Sequence, residues 1–185
     1  MARDSVVPRD PVRKPRDLAA ETIIGPALSA SEMKCSVKLD TTYAHNIQNI
    51  GFGNVQQKEV IEIFKDGRVF SHLIEKWIET NYPLNHVPGC KSYDFTDRAF
   101  PDTKYDEKTF TRRGCDFRPS NMKGQGRKFE KKLFEEKTKK LVFCIVSNVN
   151  FPAIEIKFIR GVDLLSIYPN GKIPLKEHDK FFHSR

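Results

Sequence analysis

Long apolar runs are missing from this chain. No hydrophobic stretch approaches the ~18 residues of a helical membrane span, so a helix crossing a bilayer is excluded. The opening, MARDSVVPRDPVRKPRD, is basic but has no apolar segment behind it, and so does not read as a secretory signal. Cysteine is scarce. Cys35, Cys90, Cys115 and Cys144 lie 55, 25 and 29 residues apart, which excludes the close pairing of a zinc ribbon or thioredoxin-like site and a disulfide scaffold. The five histidines show neither HxxxH nor HxH spacing, so zinc is not expected. No Gly-x-Ser-x-Gly elbow marks a serine hydrolase. Gly124-x-Gly126 lacks both a preceding strand and a Gly-Lys-Ser/Thr, and fits no nucleotide fingerprint. Internal repeats are absent. The expectation is a soluble, reduced, intracellular and cytoplasmic protein without a membrane segment.

What is present is a core and a concentrated charge. The 185 residues suit one domain, or one domain with an extended arm, and fourteen Phe supply enough large side chains to exclude global disorder. Residues 98–140 hold fourteen basic and seven acidic side chains, a local excess of +7 against +8 for the whole chain. Such a stretch is either a solvated helix face or a phosphate-contacting surface, where Lys and Arg gain affinity by releasing counterions from DNA. Arg112, Arg113 and Arg118 in a loop-like segment, followed by Asn121–Lys128 with two glycines, favour the phosphate surface.

Periodicity gives the organisation. Residues 1–30 contain Pro8, Pro11, Pro15 and Pro26 and read as an extended or disordered arm, with a short helix near Leu18–Ile23; residues 31–185 form the domain. Val55–Phe64 reads as a short helix with Val60, Ile63 and Phe64 on one face. Phe70, Leu73, Ile74, Trp77 and Ile78 predict an amphipathic helix stopped by Pro83, with Trp77 as a core anchor. Lys91–Phe100 and Tyr105–Thr111 predict a hairpin. Arg127–Lys140 predicts a basic helix, and Leu141–Ser147 a buried central strand. Ala153–Ile159 alternates as a strand, Val162–Tyr168 reads as a short helix, and Pro169–Gly171 as a turn. Ser36–Phe52 has no clear pattern. The fold class is mixed α/β, a central sheet flanked by helices.

The hairpin concentrates acids: Asp94, Asp97, Asp102, Asp106 and Glu107, followed by Lys108. Asp106 and Lys108, two apart on a strand, project from one face. Asp94 or Asp97 from the adjoining strand would complete a divalent-cation site with Asp106, since two carboxylates plus water hold Mg²⁺. Lys108 would orient or deprotonate the attacking water and offset charge on the phosphate. Acid-x-Lys occurs six times in the chain, from Glu32-x-Lys34 to Glu155-x-Lys157. The serious rival is Glu155-x-Lys157, but its expected partner strand, Leu141–Ser147, carries no carboxylate. Cys144 and the tyrosines Tyr93 and Tyr105 read as packing residues.

Asp94, Asp106-x-Lys108 and the order helix–hairpin–helix–strand resemble the PD-(D/E)xK nuclease superfamily, over roughly residues 68–168. The resemblance implies a restriction-endonuclease-like core and a Mg²⁺-dependent DNA endonuclease, most like a small type II restriction enzyme, with homing and repair nucleases in the same superfamily. It also implies a further Glu from the leading helix, which Glu75 or Glu79 would match. Two departures stand out: Tyr93, not Pro, precedes Asp94, and the literal Pro101-Asp102 lies too close to Asp106. The expected site is therefore Asp94 and Asp106 on the metal, Lys108 on the water, Asp97 as the alternate first acid, and Glu75 in support. Arg112, Arg113, Arg118, Lys123, Arg127 and Lys128 would meet DNA phosphates, and Asn121, Gln125 and Arg127 would read bases. Cutting both strands of a duplex implies a homodimer. The rival expectation is a non-catalytic nucleic-acid-binding protein using the same basic stretch.

Overall fold

A strand with no polar face has to be covered on both sides. The run Val142–Ser147 is buried at every position and lies inside the sheet, as its composition predicts. The computed structural model describes residues 33–47, 50–51, 53–89 and 92–184. The expected N-terminal arm and its short helix lie outside them.

In chain order the elements are β1 (Thr42–Asn46), α1 (Gln57–Phe64), α2 (Gly67–Asn81), β2 (Leu84–His86), β3 (Phe95–Asp97), β4 (Lys104–Phe110), β5 (Cys115–Asp116), α3 (Lys131–Thr138), β6 (Val142–Ser147), β7 (Ala153–Arg160), α4 (Gly161–Ile167), β8 (Lys172–Ile173) and α5 (His178–His183). Six strands form one mixed sheet in the order β1-β7-β6-β4-β3-β2. Its neighbours are antiparallel except for β4 and β6, which run parallel from Tyr105↔Val142 to Phe110↔Ser147. A parallel pair needs a crossover, and the segment holding β5 and α3 supplies it. β5 and β8 make a separate two-stranded ribbon.

Side-chain alternation along the sheet divides the core in two. Cys144, Val146, Ile156 and Phe158 face Val60, Phe64, Phe70, Ile74 and Ile78 of α1 and α2. Phe143, Ile145 and Ile159 face Phe134 of α3, Leu164 and Leu165 of α4, and Phe181 and Phe182 of α5. The result is a mixed α/β fold with helices on both faces.

Several boundaries differ from expectation. The unplaced segment before residue 52 contains β1, an edge strand whose pattern is too irregular to read because only its partner β7 fixes it. Ile63 is half exposed, so the inward face of α1 is Val60 and Phe64. Trp77 packs at the rim of the core against His45 and Tyr82. The basic helix begins at Lys131 and not at Arg127. Gly124 and Gly126 take positive φ, and Phe129 lies outside the helix with its ring against Phe134 and under Arg118. Gly161, at the junction of β7 and α4, sits so close to the end of α3 that a Cβ would fall 1.9 Å from the Thr138 carbonyl oxygen.

Candidate active site

The pairing of β3 with β4 is short. It covers only Phe95↔Tyr105 and Thr96↔Lys104, so from Asp106 onward one edge of β4 has no strand beside it among the described residues. Asp94, just before β3, fills the first gap. Its amide donates to the Tyr105 carbonyl at 2.8 Å, and its Oδ2 accepts the Glu107 amide at 2.6 Å. A carboxylate thus replaces the missing strand partner, which fixes Asp94 against the open edge.

Asp106 and Lys108 share a face of β4, with Asp106 Oδ2 2.6 Å from Lys108 Nζ. The Asp94 carboxyl is near enough to act on that of Asp106. Burial is the main cause that pushes Asp106 up to about 6; Lys108 opposes the shift and Asp94 adds to it. For Lys108, burial works against the ammonium, but Asp106 and Asp94 more than offset it and hold the pKa above the ordinary lysine value. Its Nζ also donates to the Glu107 carbonyl at 2.7 Å.

Glu107 points to the opposite face of β4 and is buried, with Thr109 Oγ1 donating to its Oε1 at 3.0 Å. Burial pushes Glu107 up to about 8 against the pull of Lys108. From α2, Glu75 approaches the same acids. Burial and then the charge of Asp94 raise its pKa, and His86 Nε2 lies 3.3 Å from its Oε2. Glu79, the other helix acid considered, receives the His86 amide at 3.2 Å and pairs with Lys76. Of the two, Glu75 is the one in the field of Asp94.

Asp97 is fully engaged elsewhere. It accepts the amide and hydroxyl of Ser36, the Tyr105 hydroxyl at 2.7 Å, and the amides of Ala99 and Phe100. These bonds tie the segment before β1 to the hairpin. Tyr105 is buried in the core and Cys144 likewise. The rival pair on β7 is divided: Lys157 Nζ donates to the Phe181 carbonyl at 2.8 Å, while Glu155 lies between His178 and His183.

A cleft of about 1190 Å³ opens at Lys108. Lys65 and Arg68, at the junction of α1 and α2, line it, as do Arg112 and Arg113 from the turn after β4, and Lys172 of β8. The eight expected DNA-contacting residues are not brought together. Arg112, Arg113 and Lys123 line the cleft, whereas Arg118, Asn121, Gln125, Arg127 and Lys128 do not. Arg118 grips Asp116 in a two-pronged ion pair, Nε–Oδ1 2.9 Å and Nη2–Oδ2 2.5 Å. Lys123 donates to the Asp116 carbonyl at 2.5 Å, and Arg127 to the Ser120 carbonyl. Asn121, Gln125 and Lys128 are exposed. Sequence reasoning missed Lys65, Arg68 and Lys172, which lie outside the basic stretch; it counted Glu107 among the hairpin acids, but no spacing announces its burial.

Among the described residues no group of three or more His, Cys, Asp or Glu side chains is arranged to hold a metal ion. The donor set at Asp94 and Asp106 is smaller, two neighbouring carboxyl groups, and suits a hard cation that keeps most of its water. Among the described residues no helix is long and apolar enough to cross a membrane. Compared with known proteins, the chain matches no family model and no curated protein.

Proposed function

We propose that the chain is a divalent-metal-dependent phosphodiester hydrolase. One observation carries this reading: two neighbouring carboxyl groups, Asp94 and Asp106, the latter 2.6 Å from the ammonium of Lys108, which itself lines a basic cleft. Neighbouring carboxylates repel, and the single ammonium of Lys108 cannot balance two of them, which favours a further cation beside the pair. Mg²⁺ bound there would polarise a phosphate oxygen and lower the pKa of a bound water. Asp94 and Asp106 would hold the ion. Lys108, kept charged by both acids, would orient the attacking water and stabilise charge building on the phosphate. Glu75 would orient the acids from the helix side.

More particularly, we propose a DNA endonuclease of the type II restriction kind. The order α2, hairpin β3–β4, α3, β6 supports a PD-(D/E)xK-like core, and the cleft's cations suit a phosphate backbone. Duplex cleavage would then take two copies of the chain, each cutting one strand.

The test is cleavage of a long mixed-sequence duplex with Mg²⁺ and with EDTA, beside Asp106→Ala and Lys108→Ala. Discrete Mg²⁺-dependent fragments, reduced about a hundredfold or more in each variant, are expected. Salt-sensitive binding with no cleavage, unchanged in both variants, would leave a nucleic-acid-binding protein.

A further inference from the structure

Asp116 lies opposite Lys172 in the β5–β8 ribbon, where a cross-strand ion pair is the ordinary outcome. It does not form. Asp116 is instead taken by the guanidinium of Arg118 and approached by Lys123 at 3.7 Å. Lys172 is left exposed at the cleft wall without an ion-pair partner among the described residues.

Arg112 and Arg113 are in the same condition. They sit on the tight turn Thr111–Gly114, closed by reciprocal backbone bonds at 3.1 and 2.8 Å, and both are exposed without ion pairs among the described residues. The position of that turn is set by Gly114. Its φ is +86°, and a Cβ there would fall 2.3 Å from the Ile173 carbonyl oxygen and 3.2 Å from Pro174. The turn carrying the two arginines is therefore packed directly against the strand residue that follows Lys172. Three uncompensated cations from segments about sixty residues apart in sequence are held on one wall of the cleft that starts at Lys108.

Like charges gathered on a fixed backbone repel, and among the described residues no ion pair to Arg112, Arg113 or Lys172 offsets that cost, although Asp66, Glu107 and Asp116 line the same cleft. Arg118 and Lys123 by contrast are both tied to Asp116, Arg118 through its carboxylate and Lys123 chiefly through its carbonyl, and brace the ribbon. We infer that Arg112, Arg113 and Lys172 form a docking site for backbone phosphates of the bound nucleic acid, other than the phosphate that is cut. This rests on the phosphodiesterase reading and extends it, because it assigns the ribbon to substrate binding and moves the phosphate contacts away from the segment 118–128.

The test is binding of a fluorescent 30-base-pair duplex in Ca²⁺ at several KCl concentrations. It compares the full chain, Lys172→Ala, Arg112→Ala/Arg113→Ala, and two controls, Lys128→Ala and Lys38→Ala. Each lost phosphate contact should lower the slope of log K against log[KCl] by about 0.9. The expected loss is therefore one such step for Lys172→Ala and about two for the arginine pair, with both controls keeping the original slope. Unfolding would be seen as a lowered melting temperature, so each variant's melting curve is recorded beside it. Slopes unchanged in folded Lys172→Ala and in the folded arginine pair would overturn the inference even if Mg²⁺-dependent cleavage is found. Reduced slopes with no cleavage by the unaltered chain would keep the docking site and sink the hydrolase.

Discussion

Asp106 is a group the fold holds at a cost. Its pKa of about 6 exceeds the ordinary aspartate value, so between roughly pH 4 and pH 6 the folded chain keeps a proton that the unfolded chain has released. Stability therefore falls as pH rises through that window, and the deficit is complete above it. Asp106→Asn removes the charge and should raise metal-free stability at pH 7.5 by roughly 1–3 kcal/mol, measured by urea denaturation, while abolishing cleavage. Added Mg²⁺ should raise the melting temperature of the unaltered chain and leave that of Asp106→Asn unchanged. Asp97 behaves in the opposite sense. Burial raises its pKa, but the bonds from Ser36, Tyr105 and Ala99 outweigh this and hold it below the ordinary value. Its contribution is present above the unfolded aspartate pKa and is lost as pH falls through the folded one. Asp97→Ala should cost about 2–3 kcal/mol and leave the Mg²⁺-induced rise in melting temperature intact. Loss of that rise in a folded variant would return Asp97 to the proposed metal site.

At the scale of elements, the most legible features were those with a strong local period. Helix α2 follows from its spacing of Phe70, Ile74 and Ile78, and β6 from an apolar run with no polar face. The hairpin was legible as acids and aromatics on two strands, yet its shortness was not. That β3 stops pairing at Phe95 depends on how Asp94 caps the Glu107 amide, a contact no periodicity encodes. β1 and β8 escaped notice because each is fixed by a distant partner, β7 and β5 respectively. Lys172 was lost with β8. The close approach of α3 to α4 is likewise invisible in sequence, since Gly161 reads as an ordinary helix start. Gly161→Ala should force that contact apart and destabilise the chain by about 1–3 kcal/mol, seen as a lower melting temperature with the circular-dichroism spectrum retained. A melting temperature equal to that of the unaltered chain would show that α3 and α4 can separate freely.

Across the whole molecule, charge and chemistry are arranged along one open edge. The sheet is closed on its β6 side and left incomplete on its β3 side; Asp106 lies on β4 paired with Lys108, and Lys108, but neither Asp94 nor Asp106, lines the basic cleft. The excess of positive charge in residues 98–140 maps that cleft only in part: Lys108, Arg112, Arg113 and Lys123 line it. Lys131, Lys132 and Lys137 lie on α3, Arg118 and Lys123 bind Asp116, and two of the cleft's cations come from the start of α2 and its approach. Linear charge density locates a basic protein; only the fold locates a basic surface. The pairing of β1 with β7 has a separate consequence. Thr42 meets Lys157, and Asn46 meets Ala153, so more than a hundred residues must be looped before that edge can form. Contacts of such range slow folding. On the ribosome, β1 has to wait for this partner until β7 is made, more than a hundred residues later.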